Sequence, residues 1–187
     1  MHTWQLDTAH TTVSFTAKHM MITKTRGIFK GVTGTLDYDE ANPTASSVSV
    51  SIPAATIETG MEPRDKHLRS ADFLDAEHFP TLAFTSTSIE QKGDRWAITG
   101  DLAIRGVTRP VVLDTENLGV VIGMDGRRHA GFEATTKIKR SEWGLTWNVG
   151  LEAGGWLVSD DVTIELDVAA DQLAPVTAGA GSVGASA

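Results

Sequence analysis

The stretch "TLAFTSTSIEQKGDRWAITGDLAIRGVTRPVVL", Thr81 to Leu113, decides the fold. Polar and apolar residues alternate along most of it, and the repeating apolar positions are Leu82, Phe84, Trp96, Ile98, Leu102, Ile104, Val111 and Leu113. Successive side chains of a strand point to opposite faces, so a period of two indicates strands with one buried face. The turns at Lys92-Gly93-Asp94 and Arg105-Gly106 are short enough to join antiparallel neighbours. The stretch therefore predicts an antiparallel meander.

The same alternation continues on both sides of this stretch. It includes Val13, Phe15, Ala17 and His19, then Val48, Val50 and Ile52, then Phe132, Ala134 and Ile138, and finally Val162, Ile164, Leu166 and Val168. A long meander with few helices forms a sandwich or closes into a barrel, and about eight closed strands leave room for one small ligand. We predict an all-β protein, an antiparallel eight-stranded lipocalin-like β-barrel.

One segment, residues 62–79, breaks the alternation. Pro63 suits a first helical turn, Asp65 and Leu68 begin a helical spacing, and Pro80 ends the segment. These features predict a short helical connection around residues 64–79 that crosses one end of the barrel. Its inward side chains are expected to be Leu68, Phe73, Leu74 and Phe79.

The charged residues of this connection allow three functional interpretations and one structural one. His67 and His78 are eleven residues apart in the sequence, a poor spacing for a zinc site. Asp65 and His67 would lie on different faces of a helix, which disfavours a catalytic pair. Arg64 or Arg69 could recognise a polar head group at a cavity mouth. We favour the structural interpretation, in which Arg64, Asp65 and Arg69 tie the helix to the barrel rim, and we expect neither metal ligands nor catalytic residues.

Composition restricts the function classes. The net charge of −8 and the pI of about 5.1 disfavour binding to nucleic acid, which needs a basic face. The absence of cysteine excludes disulfides and thiol chemistry. We expect a cytoplasmic protein, because the first residues show neither a basic start nor an apolar run and no segment is apolar enough to span a membrane. Residues 1–170 are assigned to the barrel, and residues 171–187, rich in small residues, to a disordered tail.

Two residues have an ambiguous role at this level. His19 is in register with Phe15 and should point to the apolar side, either as a satisfied core residue or as a polar handle inside a pocket. Trp143, in "RSEWGLTWN", serves equally well as core or as the wall of a pocket for a bulky ligand. The sequence leaves both choices open.

Six stretches resemble, in the same order, the motifs of one protein family. They are "WQLDTAHTTVSFTAKHM", "RGIFKGVTGTL", "RDKHLRSADFLDAEHFPTLAFTS", "GDLAIRGVTRPVVL", "RSEWGLTWN" and "LVSDDVTIELDV". They are similar to motifs of the YceI-like family of polyisoprenoid-binding, lipocalin-like proteins. Thr11 stands where serine is usual in that family, Trp143 where phenylalanine is common, and Ser159 where glycine is frequent.

The resemblance implies an apolar channel that holds an isoprenoid, such as an isoprenoid quinone, or another long-chain lipid without catalysis. A homodimer is compatible with it, and no cofactor is expected. The candidate ligand-binding residues are Phe15, His19, Phe29, Phe73, Phe84, Ile104, Phe132 and Trp143. Two alternatives stay open, an enzyme that acts on such a lipid through His19 or His67, and a structural or stress-related interaction domain. Contacts of Arg64, Arg69 and His67 with the ligand are undecided.

Overall fold

The computed structural model of the chain describes residues 1–152 and 154–173. The strands in these residues are β1 His2–Leu6, β2 Thr12–His19, β3 Thr23–Phe29, β4 Thr33–Tyr38, β5 Ser47–Pro53, β6 Thr81–Lys92, β7 Arg95–Ile104, β8 Val107–Ile122, β9 Arg128–Lys139 and β10 Val158–Gln172. The helical elements are one α-helix, α1 Glu62–Arg69, and the 3₁₀ turns Pro43–Ala45, Ala54–Thr56 and Arg140–Trp143. All strands form one antiparallel sheet in the order β1-β4-β5-β6-β7-β8-β9-β10-β2-β3.

The sheet closes because β10 pairs with two short strands along one edge. The end of β10 pairs with β1, where Leu6 lies opposite Ala170, and its earlier part pairs with β2, where Phe15 lies opposite Ile164. β1 also pairs with β4, and β2 with β3, so these four segments fill two strand positions. The result is a closed eight-stranded antiparallel barrel, which confirms the predicted fold class.

A tight turn separates β1 from β2. The Asp7 carbonyl oxygen accepts hydrogen bonds from the backbone N–H groups of His10 and Thr11, and the Asp7 carboxylate accepts one from the Ala9 N–H at 2.9 Å. This local bonding replaces ladder bonds for a few residues, as aspartate commonly does at turns. It lets β1 and β2 follow different parts of β10.

The core forms where the inward positions of the strands meet. Leu82, Phe84, Leu102, Ile104 and Val111 are all buried, so the alternation of the opening stretch identified the inward face of β6, β7 and β8. These residues pack with buried side chains from the other strands and from the α1 connection in one continuous cluster.

The helix of the connection is shorter than predicted and ends at Arg69. Ser70 adopts an extended backbone, and its hydroxyl donates to the His67 carbonyl at 2.8 Å. The residues after Ser70 form turns, in which the N–H of Leu74 donates to the Leu68 carbonyl and that of Ala76 to the Arg69 carbonyl. A serine hydroxyl that bonds the preceding turn competes with helix propagation, which explains the early end.

The connection still covers one end of the barrel. Phe73 and Leu74 are buried and Leu68 is partly buried against the core, as predicted. Phe79 is only half-buried, because its ring packs over Gly106 in the turn between β7 and β8, where a Cβ atom would lie 2.6 Å from the ring. The prediction that the Phe79 side chain points into the barrel was therefore wrong.

A buried carboxylate fixes α1 to the barrel. Asp65 is 4% exposed and accepts hydrogen bonds from the N–H of Thr59, at 2.9 Å, and from its hydroxyl. Arg64 donates from Nε to the Thr59 hydroxyl and from a terminal nitrogen to the Thr59 carbonyl, at 2.6 and 3.0 Å. The preceding residue, Glu58, exchanges two backbone hydrogen bonds with Ile28 of β3. This network is the tie between helix and rim that the charge pattern predicted.

The barrel also extends slightly beyond residue 170. Asp171 pairs with His129, Gln172 pairs with Trp4, and the N–H of Leu173 donates to the Thr3 carbonyl at 2.9 Å. These pairings keep the first residues of the predicted tail in the sheet, and residues 174–187 lie outside the described part of the chain. None of the described helices is long and apolar enough to cross a membrane.

Replacing Asp65 with alanine should lower the free energy of unfolding by about 2–3 kcal/mol, because two donors of Thr59 would lose their buried acceptor. Lys66→Ala, at the exposed neighbouring position, is the control and should change it by less than about 0.5 kcal/mol. Urea denaturation measures both changes. Equal stability of the two variants would contradict the structural role of Asp65.

Candidate functional site

The barrel encloses a cavity of about 260 Å³. Each strand from β1 to β10 contributes at least one lining side chain. The lining residues outside the strands are Pro43 and Ser46 between β4 and β5, and, at the α1 end of the barrel, Ile57, Leu68, Phe73, Leu74, Arg140, Trp143 and Leu145. The strand alternation that builds the core therefore also builds the wall of the cavity.

The wall is almost wholly apolar. Within the described residues, its ionisable side chains are Tyr38 and Arg140, and no aspartate, glutamate, histidine or lysine contributes to it. Burial raises the pKa of Tyr38, which keeps its phenol neutral, and its oxygen accepts a hydrogen bond from the Asn117 side chain at 2.7 Å. Tyr38 and Asn117 are polar lining residues that the sequence analysis missed. The available signals were an asparagine inside a strand pattern and, far from it in the sequence, the single tyrosine of the chain.

The Arg140 side chain has a structural role beside the cavity. Its guanidinium donates to the carbonyl oxygens of Ser159, Leu145 and Trp147, which ties the loop after β9 to β10. Burial lowers the pKa of Arg140, although a guanidinium stays protonated in proteins. Trp143, 1% exposed, donates its indole N–H to the Leu102 carbonyl at 3.0 Å. The loop that bears both residues is thus held firmly against the barrel.

Behind this wall, His67 packs between two aromatic rings. The centroid of its ring lies 5.0 Å from that of Phe73 and 4.6 Å from that of Trp147, both in edge-on geometry. Its Nε2 is 2.9 Å from a carboxylate oxygen of Asp72. His67 is outside the cavity lining, so it supports the closed end of the barrel instead of facing a ligand.

The structure brings together seven of the eight predicted ligand-binding residues. Those that line the cavity are Phe15, Phe29, Phe73, Phe84, Ile104, Phe132 and Trp143. His19 does not line it, which corrects the expectation that it faces the pocket. The alternation holds along β2, but His19 is the last residue of the strand, and the part of β2 that lines the cavity ends at Ala17, although the pairing partner of His19, Val158, does line it.

Two glycines shape the cavity, and the sequence analysis missed both. Gly27 lies opposite Phe15, and a Cβ atom on it would be only 2.5 Å from the Phe15 ring. Gly100, which lies opposite Ser86, is diagonal to Phe84, and a Cβ atom on it would be 2.4 Å from the Phe84 ring. Each phenylalanine ring therefore occupies the space that a side chain on the neighbouring strand would need, and glycine leaves that space open. A glycine inside an alternating strand was the signal for such a close approach.

Three further histidines, His10, His78 and His129, form ion pairs away from the cavity. The hydrogen bond from His10 lowers the pKa of Asp7, and Asp75 raises the pKa of His78. His129, half-buried, lies 3.1 Å from Asp125 and 2.7 Å from Asp171. In the part of the chain that the structure describes, no three histidine, aspartate or glutamate side chains are grouped so as to hold a metal ion.

Gly27→Ala should destabilise the barrel by about 1–3 kcal/mol, because the new methyl group forces the Phe15 ring to move. Gly131→Ala in β9 is the matched control, since its Cβ atom would meet Leu118 at an ordinary 3.5 Å. The control should be as stable as the parent or slightly more stable. Chemical denaturation of both variants is the measurement, and a stable Gly27→Ala protein would refute the close packing.

A pH-dependent part of the stability should come from His129. Hydrogen bonds to Asp125 and then Asp171 raise its pKa in the folded state, so its contribution is complete below the unfolded pKa and disappears as pH rises through the folded pKa. As pH rises above about 6.5, the pKa of an unfolded histidine, and through the raised pKa of folded His129, the parent should lose its stability advantage over His129→Gln. His2→Gln, at an exposed position, should follow the parent. A constant difference between the parent and His129→Gln in urea denaturation would contradict this.

Comparison with known proteins agrees with this architecture. The model of the YceI-like domain matches residues 4–170. Protein YceI of Salmonella newport is 42% identical over 141 residues, which cover 75% of this chain and 74% of that protein. The structure of Campylobacter jejuni YceI is 33% identical with a TM-score of 0.72, and it covers 84% of this chain and 90% of that one.

Two further solved structures share the fold. Burkholderia cenocepacia BcnA is 25% identical with a TM-score of 0.75, over 88% of this chain and 98% of that one. A polyisoprenoid-binding domain from Saccharophagus degradans is 13% identical with a TM-score of 0.67, over 92% and 100% of the two chains. The domain match, the identity with protein YceI and the shared barrel lead to one conclusion: the chain belongs to the YceI-like family.

Proposed function

We propose that this protein binds a polyisoprenoid or a similar amphiphilic lipid, with the apolar chain in the barrel cavity, and leaves it chemically unchanged. The observation that carries the proposal is the apolar wall, to which all the strands β1 to β10 contribute. Each methylene group transferred from water into such surroundings contributes about 0.8 kcal/mol, so affinity needs few polar contacts. Sequestration or transport of the lipid would follow from such binding.

The ligand class also has support from the family. The Saccharophagus degradans domain is named as a polyisoprenoid-binding domain, and its likeness to this chain is one of fold. We extend that ligand class to this protein because a branched hydrocarbon chain matches a wall of aliphatic and phenylalanine side chains. The neutral Tyr38 and Asn117, joined by a hydrogen bond, offer one polar point inside the cavity for a polar group of the ligand.

The size of the cavity limits how much of the ligand it encloses. Its volume of about 260 Å³ is close to the lower end of the range for small-molecule pockets, roughly 300–1,000 Å³. We infer that part of a long prenyl chain is enclosed and that the polar end stays outside. Affinity should therefore rise with chain length until the cavity is full and then level off.

Native mass spectrometry after gentle purification tests the proposal directly, because a lipid that co-purifies adds its own mass. Titration with fluorescent prenyl alcohols of increasing length then measures the affinity. A protein without added mass that also fails to bind any of these alcohols would contradict the proposal and favour a structural role.

Two adjacent valines of β8 provide a matched pair for this titration. Val111 lines the cavity, whereas Val112 points outward and is exposed. Val111→Phe should weaken prenyl binding at least tenfold, about 1.4 kcal/mol, because the added ring occupies the space of the ligand. Val112→Phe adds the same ring outside the barrel and should bind like the parent. Equal affinities of the two variants, both folded by circular dichroism, would place the ligand elsewhere.

The non-catalytic part of the proposal needs its own test. A general base must lie within hydrogen-bond reach of the reacting group, and neither His19 nor His67 lines the cavity. Prenyl alcohols, prenyl diphosphates and isoprenoid quinones incubated with the protein should be recovered unchanged by mass spectrometry. Turnover that disappears in His19→Gln or His67→Gln, with binding preserved, would establish an enzyme instead.

A further inference from the structure

The hairpin between β2 and β3 presents apolar side chains on an unfavourable turn. Met20 and Met21 both have positive φ angles, 51° and 62°, and the N–H of Ile22 donates to the His19 carbonyl at 3.2 Å. This is a type I′ turn, which strongly favours Asn-Gly. Two methionines replace that pair, and the Ile22 side chain is 82% exposed. Folding alone does not favour this choice of residues.

A second loop brings more apolar surface to the same place. Trp156 is 57% exposed and Val149 is also exposed. The loop is fastened to the hairpin, because the N–H of Met20 donates to the Leu157 carbonyl at 2.7 Å and Met21 packs against Gly155. We call the exposed set Met20, Met21, Ile22, Val149 and Trp156 the apolar tip.

The surface beside the apolar tip is basic, although the whole chain carries a net charge of −8. A groove that starts at Met21 and Trp156 is lined by six cationic and three acidic side chains. Lys137 pairs with Asp161, and Asp160 accepts two hydrogen bonds from Ser141. Three exposed lysines of the groove are left next to the tip, namely Lys18, Lys24 and Lys139. Glu152, in the loop of Trp156, is the acidic residue closest in sequence to the tip.

The groove and the cavity share part of their wall. Ala17, Arg140, Leu145 and Val158 line both the groove and the cavity. These shared residues place the groove next to the apolar interior. The tip and the lysines lie at the same end of the barrel as these residues.

We propose that the apolar tip docks this protein on an anionic lipid bilayer. Exposed methionine, isoleucine and tryptophan side chains enter the boundary between head groups and acyl chains, while neighbouring lysines contact the anionic head groups. Docking in this orientation turns the groove toward the bilayer. The docking needs no ligand in the cavity, whereas the passage of a lipid along the groove rests on the proposed function.

The test uses co-sedimentation with vesicles. The parent should sediment with vesicles of equal parts phosphatidylcholine and phosphatidylglycerol and remain in the supernatant with phosphatidylcholine alone. The double variant Met20→Asn/Met21→Gly removes apolar side chains and installs the pair that a type I′ turn prefers. It should lose at least tenfold in vesicle affinity while its melting temperature equals or exceeds that of the parent, so unfolding cannot explain the loss.

A matched control removes exposed apolar side chains at the opposite end of the barrel. Ile122 and Met124 lie in and after the end of β8, where both are highly exposed. Ile122→Ser/Met124→Ser should sediment with anionic vesicles like the parent. An equal loss of binding in this control would overturn the proposed position of the docking surface.

The electrostatic part is tested with Lys18→Gln, Lys24→Gln and Lys139→Gln. Each lysine near an anionic surface contributes a factor of roughly five to the affinity, so the triple variant should bind far more weakly. Added salt should also weaken the binding of the parent to anionic vesicles, and it should weaken the binding of the triple variant much less. Unchanged binding of the triple variant would overturn the proposal.

Two further measurements distinguish membrane docking from dimerisation through the tip and from lipid binding in the cavity. If the parent does not sediment with anionic vesicles, and analytical ultracentrifugation shows a dimer that Met20→Asn/Met21→Gly abolishes, the tip is a contact between two copies and the docking proposal is overturned. Native mass spectrometry without vesicles should show equal prenyl alcohol binding by the parent and the tip variant. Docking on vesicles without any binding of prenyl alcohols would contradict the proposed function and leave the docking proposal standing.

Discussion

The structure depends on the hydrogen bonds between β10 and the two short strands β1 and β2. An open sheet of this size would leave two edges of unpaired N–H and C=O groups, and the pairing of β1 with β10 closes it; the outer edge of β3 is bridged only between Ile28 and Glu58. Closure also creates the cavity, since residues that alternate toward one face of an open sheet would enclose nothing. The turn at Asp7 is essential to this arrangement because it lets one edge of β10 bind two segments.

A closed barrel must also be covered at its ends, and two buried polar groups perform this task at the α1 end. Asp65 holds the α1 connection through Thr59, and Arg140 holds the loop after β9 through three carbonyl oxygens. Burying a charge is unfavourable unless its hydrogen bonds are complete, and here the bonds of each group serve to fix one loop. The motif "RDKH", whose charged residues allowed functional interpretations in the sequence, and the motif "RSEW" are therefore the structural supports of the covered end.

Features that depend on a regular period were the most predictable from the sequence. Leu82, Phe84, Leu102 and Ile104 were assigned to the interior because alternation leaves no other choice, and the eight-stranded barrel results from many such strands. The end of α1 was less predictable, because the Ser70 hydroxyl competes with the helix through a local bond that residue spacing does not reveal. The candidate site was predictable to a similar degree.

Phenylalanines at inward positions of the strands do line the cavity. The alternation also gives the face on which His19 lies, but it does not say where along the strand the cavity stops. Tyr38 and Asn117 meet across 79 positions of sequence, and such a pair depends on the register of several strands at once.

The contacts of phenylalanine rings with glycines have a consequence for how selectivity can change within this fold. The width available to a ligand beside Phe15 or Phe84 depends on the missing side chain of Gly27 or Gly100, one strand away. Each of these glycines is covered by an aromatic ring, so a ligand in the cavity touches the ring and not the glycine. The breadth of ligands that such a barrel accepts can thus be altered by a substitution at a position that the ligand never contacts.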